Sequence, residues 1–396
     1  MVQLFLLMLI VVFHMRLHPK KGLSRQLSFP STSSLYVTLE GNYSHCSICQ
    51  KVFHVGRSDD DSNELPRRYL GLRITTIEDV VAAQKRIGPY LKPTPLLSYP
   101  KINELVGTEV YIKHENCQPV GAFKVRGGIN LVSRLSKEEK ERGVIVASTG
   151  NHGQSIAYAS KIFDVKAIVV MPEKSNPGKV AALRALGAEI VFHGTKYDEA
   201  RVHCERLANE HGYRYVHSGD EPDLIAGVGT ETLEMLQEEP GIDTIIVPVG
   251  GGSGAAGTCI AAKSISSEIK VIAVQSEASP AAHDSWREGR LVERPNRTLV
   301  EGLSTGSAFE LPQRILREHL DDFILVSEQE IMQALLWMIE HAHTLAEGAG
   351  AAPLAAAYRI RSQLKDRKVG LICSGGNVSL ETLRRALSAD SNKTIG

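Results

Sequence analysis

Eight short, β-branched runs punctuate the chain in two series of four, and this alternation limits the possible folds more than any single motif does. The first series reads "GVIVAS" (143–148), "KAIVVMP" (166–172), "AEIVFHG" (188–194) and "YRYVHS" (213–218). The second reads "TIIVPV" (244–249), "KVIAVQ" (270–275), "FILVS" (323–327) and "KVGLICSGG" (368–376). Helical pattern separates the runs, with helix starts expected near Asn151, Pro177 and Tyr197. Strands that are apolar throughout are buried on both faces, so each series predicts a parallel sheet covered by helices, and the chain reads as α/β.

Regular pattern begins at "TTIEDVVAAQKRI" (75–87), where Thr75 and Glu78 predict a capping box. "KPTPLL" (92–97) then predicts an extended segment, because each proline disfavours helix at the residue before it. Residues 1–69 read differently. "VQLFLLMLIVVF" (2–13) is too short for a bilayer that needs about 20 apolar residues, and no basic region precedes it as in a secretory signal. The basic, Ser-rich stretch from Met15 has no acidic residue before Glu40, which fits either an organelle transit peptide or a disordered leader. A cytoplasmic location is expected, with mitochondrion or plastid as the alternative if this leader is read.

Forty-five basic residues balance 45 acidic ones, so no global charge points to nucleic acid or a membrane surface, and a small neutral or zwitterionic ligand fits better. The six cysteines are scattered without the spacing of a disulfide framework. Cys46, Cys49 and His54 form a local cluster, but no second ligand pair stands at zinc-finger spacing.

Four glycine-containing stretches flank strand ends: "GAFKVRGG" (121–128), "STGNHGQ" (148–154), "VPVGGGSGAAG" (247–257) and "CSGGN" (373–377). In open parallel sheets the ligand sits at the carboxyl ends of the strands, so these loops are expected to converge on one cleft. Gly252, Gly254 and Gly257 satisfy G-x-G-x-x-G, and Glu277 stands 20 residues beyond. Taken alone, that loop is open to two readings, the pyrophosphate of a dinucleotide or the single phosphate of something smaller.

The four motifs in this order resemble the fold-type-II pyridoxal-phosphate enzymes, the tryptophan synthase β-like family that holds threonine and serine dehydratases, serine racemase, threonine synthase and cysteine synthase. The resemblance runs from about Ile74 to Leu387. It implies pyridoxal 5'-phosphate as cofactor, with Lys124 as the lysine that forms the Schiff base and removes the substrate α-proton, and with Phe123 packed against the cofactor. The Gly250, Gly251, Gly252, Ser253, Gly254 loop would wrap the phosphate monoester through backbone N–H groups at a helix start. Ser374 would hydrogen-bond the pyridine nitrogen; a neutral hydroxyl there suits β-elimination over transamination. Asn151 would contact the ring 3'-oxygen, and Glu347 would stand near the ring. Ser148, Gly150, His152 and Gln154 would line the loop that binds the substrate α-carboxylate.

The resemblance also implies a large cofactor-binding domain (70–139 plus 216–390), a small α/β domain (140–215) and a homodimer. The expected reaction is dehydration and deamination of a hydroxy amino acid such as L-threonine or L-serine to a 2-oxo acid and ammonia. Alternatives are a hydroxyectoine-derived substrate, a threonine synthase or β-replacement reaction, a Rossmann dinucleotide protein, and a ligand sensor without turnover. Three departures from the family pattern stand out. Ala122 replaces the usual serine before the Phe-Lys pair. Gln275 and Ala281 stand where cation-binding relatives carry carboxylates, so no metal is expected. Thr149 occupies the position where serine racemase has a serine that acts on the cofactor face opposite the lysine.

Overall fold

The structure, a computed structural model, describes residues 68, 69 and 72–391. The readings made for residues 1–67, including Cys46, Cys49 and His54, lie outside the described residues. Ten strands matter here: β1 (Leu96–Ser98), β2 (Glu109–His114), β3 (Val144–Ala147), β4 (Ala167–Met171), β5 (Glu189–Phe192), β6 (Arg214–Tyr215), β7 (Thr244–Pro248), β8 (Lys270–Ser276), β9 (Asp322–Val326) and β10 (Lys368–Cys373). They form a six-stranded sheet in the order β9-β8-β7-β10-β2-β1 and a four-stranded sheet in the order β5-β4-β3-β6. Every pairing is parallel except β1 with β2. The eight runs singled out in the sequence are therefore all strands, and "KPTPLL" leads into the antiparallel edge strand β1.

Burial on both faces follows from the side-chain alternation. Ile246 stands opposite Ile272 and Leu371, and these three pack into one core with Val110 and Ile112. Their strand neighbours Ile245, Val247, Val271, Ala273 and Ile372 pack into a second core on the other face. The four-stranded sheet repeats this, with Val144, Val146, Val169 and Met171 on one side and Ile145, Ala147, Ile168 and Val170 on the other. Each such side chain contributes about 1.5–3 kcal/mol when buried, which favours apolar residues at these positions; the polar Glu189 and Arg214 fall on the edge strands β5 and β6, which are not fully buried.

The helices that position the site are α1 (Lys124–Ser133), α2 (Asn151–Ile162), α3 (Pro177–Ala185), α4 (Pro222–Glu238), α5 (Ser253–Ile265) and α6 (Gly348–Arg359). α2, α3 and the helix Tyr197–His211 begin where the sequence places them. The capping box lies one residue later than expected: Thr76 caps the helix Ile77–Ile87 and Asp79 closes the box, because the Thr75 hydroxyl instead donates to Pro222 O at 3.0 Å. Among the described residues no helix is long and apolar enough to cross a membrane.

Candidate active site

Lys124 opens α1. The strand-like bridge between Ala122 and Gly375, and a bond from the Phe123 N–H to Ser374 O at 2.9 Å, pin this helix start to the end of β10. The Lys124 amine donates to Ser218 O at 3.1 Å and to Ser253 Oγ at 2.7 Å. Desolvation brings its pKa down to about 8, against the attraction of the Glu231 carboxyl. Partly exposed yet largely desolvated, this amine can be reached by an aldehyde and can shed its proton near neutral pH.

The loop 250–254 carries the chain from β7 into α5. Gly252, at φ +93°, caps that helix in the left-handed conformation that favours glycine. The N–H groups at the start of α5 are thereby turned toward the loop, beside Ser253 and Lys124. A Cβ on Gly251 would come 2.2 Å from the Phe309 ring, and one on Gly254 would come 3.0 Å from the Phe123 ring. The loop is thus held between two aromatic rings.

A second set of residues closes the cleft from the four-stranded sheet. Asn151, at the start of α2, donates through Nδ2 to Glu347 Oε1 at 2.9 Å, and its Oδ1 accepts from Asn377 Nδ2 at 2.8 Å. Glu347 caps α6, and burial raises its carboxyl to about 7, with the Asn151 bond opposing. Glu347 is therefore part of this cleft and not an exposed helix-end carboxylate. The Ser148 hydroxyl accepts from the N–H groups of Gly150 (3.2 Å) and Gly153 (2.9 Å), which shapes the loop around Thr149, itself half-buried. The His152 ring is buried and bonded through Nε2 to Val216 O at 3.2 Å, and burial lowers its pKa to about 3, so the ring is neutral. Gln154 is also buried. The start of α2 is the end of that helix that favours an anion.

An amine, a helix-start anion cradle between two rings, and a polar cluster lie at the carboxyl ends of the central strands, and this set fits a phosphate-bearing aldehyde. A family model described as pyridoxal-phosphate dependent enzyme matches residues 87–375. The chain belongs to that family. It is 37% identical over 314 residues to the L-threonine ammonia-lyase of Thermotoga maritima, covering 79% of this chain and 78% of the relative. It is 38% identical over 317 residues to the L-threo-3-hydroxyaspartate ammonia-lyase of Saccharomyces cerevisiae, covering 80% and 97%. The crystal structure of serine racemase from Dictyostelium discoideum superposes with a TM-score of 0.74 at 38% identity, covering 77% of this chain and 99% of that one.

As a pyridoxal-phosphate enzyme of fold type II, the chain takes one phosphate rather than a dinucleotide. Gly257, the third glycine of the apparent Rossmann signature, serves helix packing: a Cβ there would come 2.7 Å from the Gly229 backbone N of α4. Gln275 is buried, its Oε1 accepting from the His283 N–H at 3.1 Å, and Ala281 begins the helix Ala281–Glu288. Among the described residues no group of three His, Cys, Asp or Glu is placed to hold a metal.

Four contributors escape the sequence reading. Ser218 lends a backbone carbonyl to Lys124, which no side-chain pattern reveals. His217 sits beside it, its ring edge-on to Phe309 at 4.6 Å and its Nδ1 accepting from the Asp220 N–H at 2.8 Å. Phe309 reaches the cleft from a segment without any glycine motif. Asn377, which closes "CSGGN", is the one that a local signal could have exposed.

This geometry redirects the natural test of the phosphate loop. A carboxylate at Gly251 would collide with Phe309 before meeting a phosphate, so the charge belongs at Ser253. Ser253→Asp places a carboxylate against the dianion, and a unit pair at ~4 Å is worth about 4 kcal/mol at an effective dielectric near 20. Even after screening, cofactor affinity in equilibrium dialysis is expected to fall about 100-fold or more, each ~1.4 kcal/mol being tenfold. Unchanged affinity would move the phosphate away from this loop.

Proposed function

We propose that the chain eliminates the β-hydroxyl of a hydroxy amino acid such as L-threonine or L-serine, yielding a 2-oxo acid and ammonia. The observation that carries this reading is the desolvated Lys124 amine, held between Ser218 O and Ser253 Oγ at the glycine loop. Pyridoxal phosphate supplies the electron sink for the pair left when the α-proton departs. Lys124 takes that proton onto Nζ, the β-carbon–oxygen bond breaks, and the hydroxyl leaves as water by taking up one proton, which balances the one lodged on Lys124. The released enamine regains water and loses ammonia, so threonine ends as 2-oxobutanoate and ammonia with no oxidant consumed. Ser148 and Gly150 shape the loop that takes the substrate α-carboxylate, while Asn151, Glu347 and Ser374 orient the cofactor ring. The two ammonia-lyase relatives, whose names specify threonine and hydroxyaspartate, support the same reaction class.

The test is to supply L-threonine, L-serine, L-threo-3-hydroxyaspartate and hydroxyectoine to the cofactor-loaded chain and to follow ammonia and 2-oxo acid together. Equimolar release from a hydroxy amino acid is expected. With sulfide present, a thiol amino acid formed in place of the 2-oxo acid would assign β-replacement instead.

Thr149 sets the side reaction. Racemisation needs a proton donor on each face of the substrate, whereas elimination needs Lys124 and an acid for the leaving group. The Thr149 hydroxyl is carried by a β-branched side chain restricted at χ1. From L-serine, pyruvate is therefore expected to exceed D-serine by at least about tenfold, with the D-serine lost in Thr149→Ala and elimination retained. D-serine forming as fast as pyruvate would overturn this assignment.

A further inference from the structure

Asn151 and the loop before it reach the cleft on α2, whereas Lys124 reaches it on α1, so the distance between them depends on how these two helices meet. Ser155 stands at their contact. It is fully buried, and its hydroxyl donates to the backbone O of Lys124 itself at 2.6 Å. A serine within a helix commonly turns its hydroxyl back onto the carbonyl four residues before it, but this one reaches across to the neighbouring helix. Residues four apart share a helix face, so Asn151 and Ser155 lie on one face of α2, and Lys124 and Gly128 lie on the face of α1 that meets it. Glycine at 128 permits the approach: a Cβ there would stand 2.3 Å from Ser155 Oγ and 2.7 Å from Ser155 O.

The same helix also holds the other end of Lys124. His152, in the first turn of α2, bonds through Nε2 to Val216 O at 3.2 Å. Ser218, on that same segment, accepts from the Lys124 amine at 3.1 Å. α2 thus grips Lys124 directly at its backbone through Ser155, and at its amine by way of residues 216–218. A slip of α1 along α2 would move Nζ relative to the substrate loop while leaving the contacts within that loop intact.

We propose that Ser155 is a positioning residue for the reaction: its hydroxyl ties the first turn of α1 to α2 and so sets the Lys124 amine against the loop that takes the substrate. The substrate contacts belong to α2 and the base to α1, so losing the tie slows transfer of the α-proton and spares binding. The proposal rests on Lys124 being the base of the reaction described above, but its test needs no elimination.

The probe is L-alanine, which is L-serine without its hydroxyl: it can lose an α-proton but has no β-group to expel. The cofactor-loaded full-length chain is incubated with it in deuterated water, and exchange at the α-carbon is followed by proton NMR and expressed per bound cofactor. In Ser155→Ala the maximal exchange rate is expected to fall about tenfold or more while the half-saturating alanine concentration shifts less than about threefold, because misplacing a reacting group by about 1 Å costs up to about 100-fold in rate. Gly128→Ala, which wedges the same contact from the other helix, is expected to show the same split. A merely structural serine would lower thermal stability or cofactor occupancy and leave the rate per bound cofactor in place. An unchanged rate in folded Ser155→Ala overturns the proposal, and so does a loss that appears in the half-saturating concentration instead. The expected split, found in a chain that releases no ammonia from any hydroxy amino acid, would keep this proposal and remove the ammonia-lyase reading.

Discussion

Lys124→Ala is expected to lower turnover of L-threonine by about 10³-fold or more, because both the nucleophile and the base disappear with one side chain. The loss should not be a folding defect. Lys124 opens α1 with its amine at the cleft, and its bonds run to Ser218 O and Ser253 Oγ rather than into the core. Small primary amines supplied to the variant are expected to restore part of the rate, since they can occupy the space and take the α-proton. The pH dependence has a definite sign. Desolvation lowers the Lys124 pKa to about 8, so the neutral base accumulates as pH rises through that value rather than near the ordinary lysine value. The wild-type rate should therefore climb toward a plateau above about pH 8, and an amine-rescued variant should instead follow the pKa of the added amine. A variant that keeps more than a tenth of wild-type turnover would remove Lys124 from the chemistry.

Arg126→Ala carries the largest expected effect on stability. The guanidinium is fully buried and makes five bonds, to Glu115, Glu234 and the Thr230 hydroxyl. Truncation leaves the fully buried Glu115 with only Thr94 and Gln118 as hydrogen-bond donors. Removing one partner of a buried pair costs about 3–5 kcal/mol, chiefly because the other charge is stranded. Arg126→Lys should recover little, since one ammonium cannot bond two carboxylates bidentately. The acid limb of stability should also change. Desolvation raises the Glu115 pKa, but the Arg126 guanidinium outweighs it and holds the carboxyl below its usual range. That stability is complete above the ordinary carboxylate pKa and is lost as pH falls through the depressed folded value. Urea unfolding of the cofactor-free chain at several pH values measures both effects. A loss under 1 kcal/mol would mean that the cluster relaxes around the gap.

The strands and their loops were legible because their physics is local. A run such as "TIIVPV" must be buried on both faces, and a glycine run after it must turn into a helix start. The capping box was displaced by one residue because Thr75 found a partner in Pro222, far along the chain. Glu347 could be recognised as an acid but not placed, since its burial depends on Asn151 from the other sheet. Phe309, His217 and Ser218 left no trace, because contacts made by an isolated ring or a backbone carbonyl have no spacing to read.

The central claim, that the four loops converge on Lys124, is tested most directly by reducing the cofactor-loaded wild-type chain with borohydride, digesting it and locating the pyridoxyl-bearing peptide by mass spectrometry. One labelled lysine is expected, Lys124, in the peptide that contains "VGAFK". Label on any other lysine, or cofactor that washes away after reduction, would contradict it.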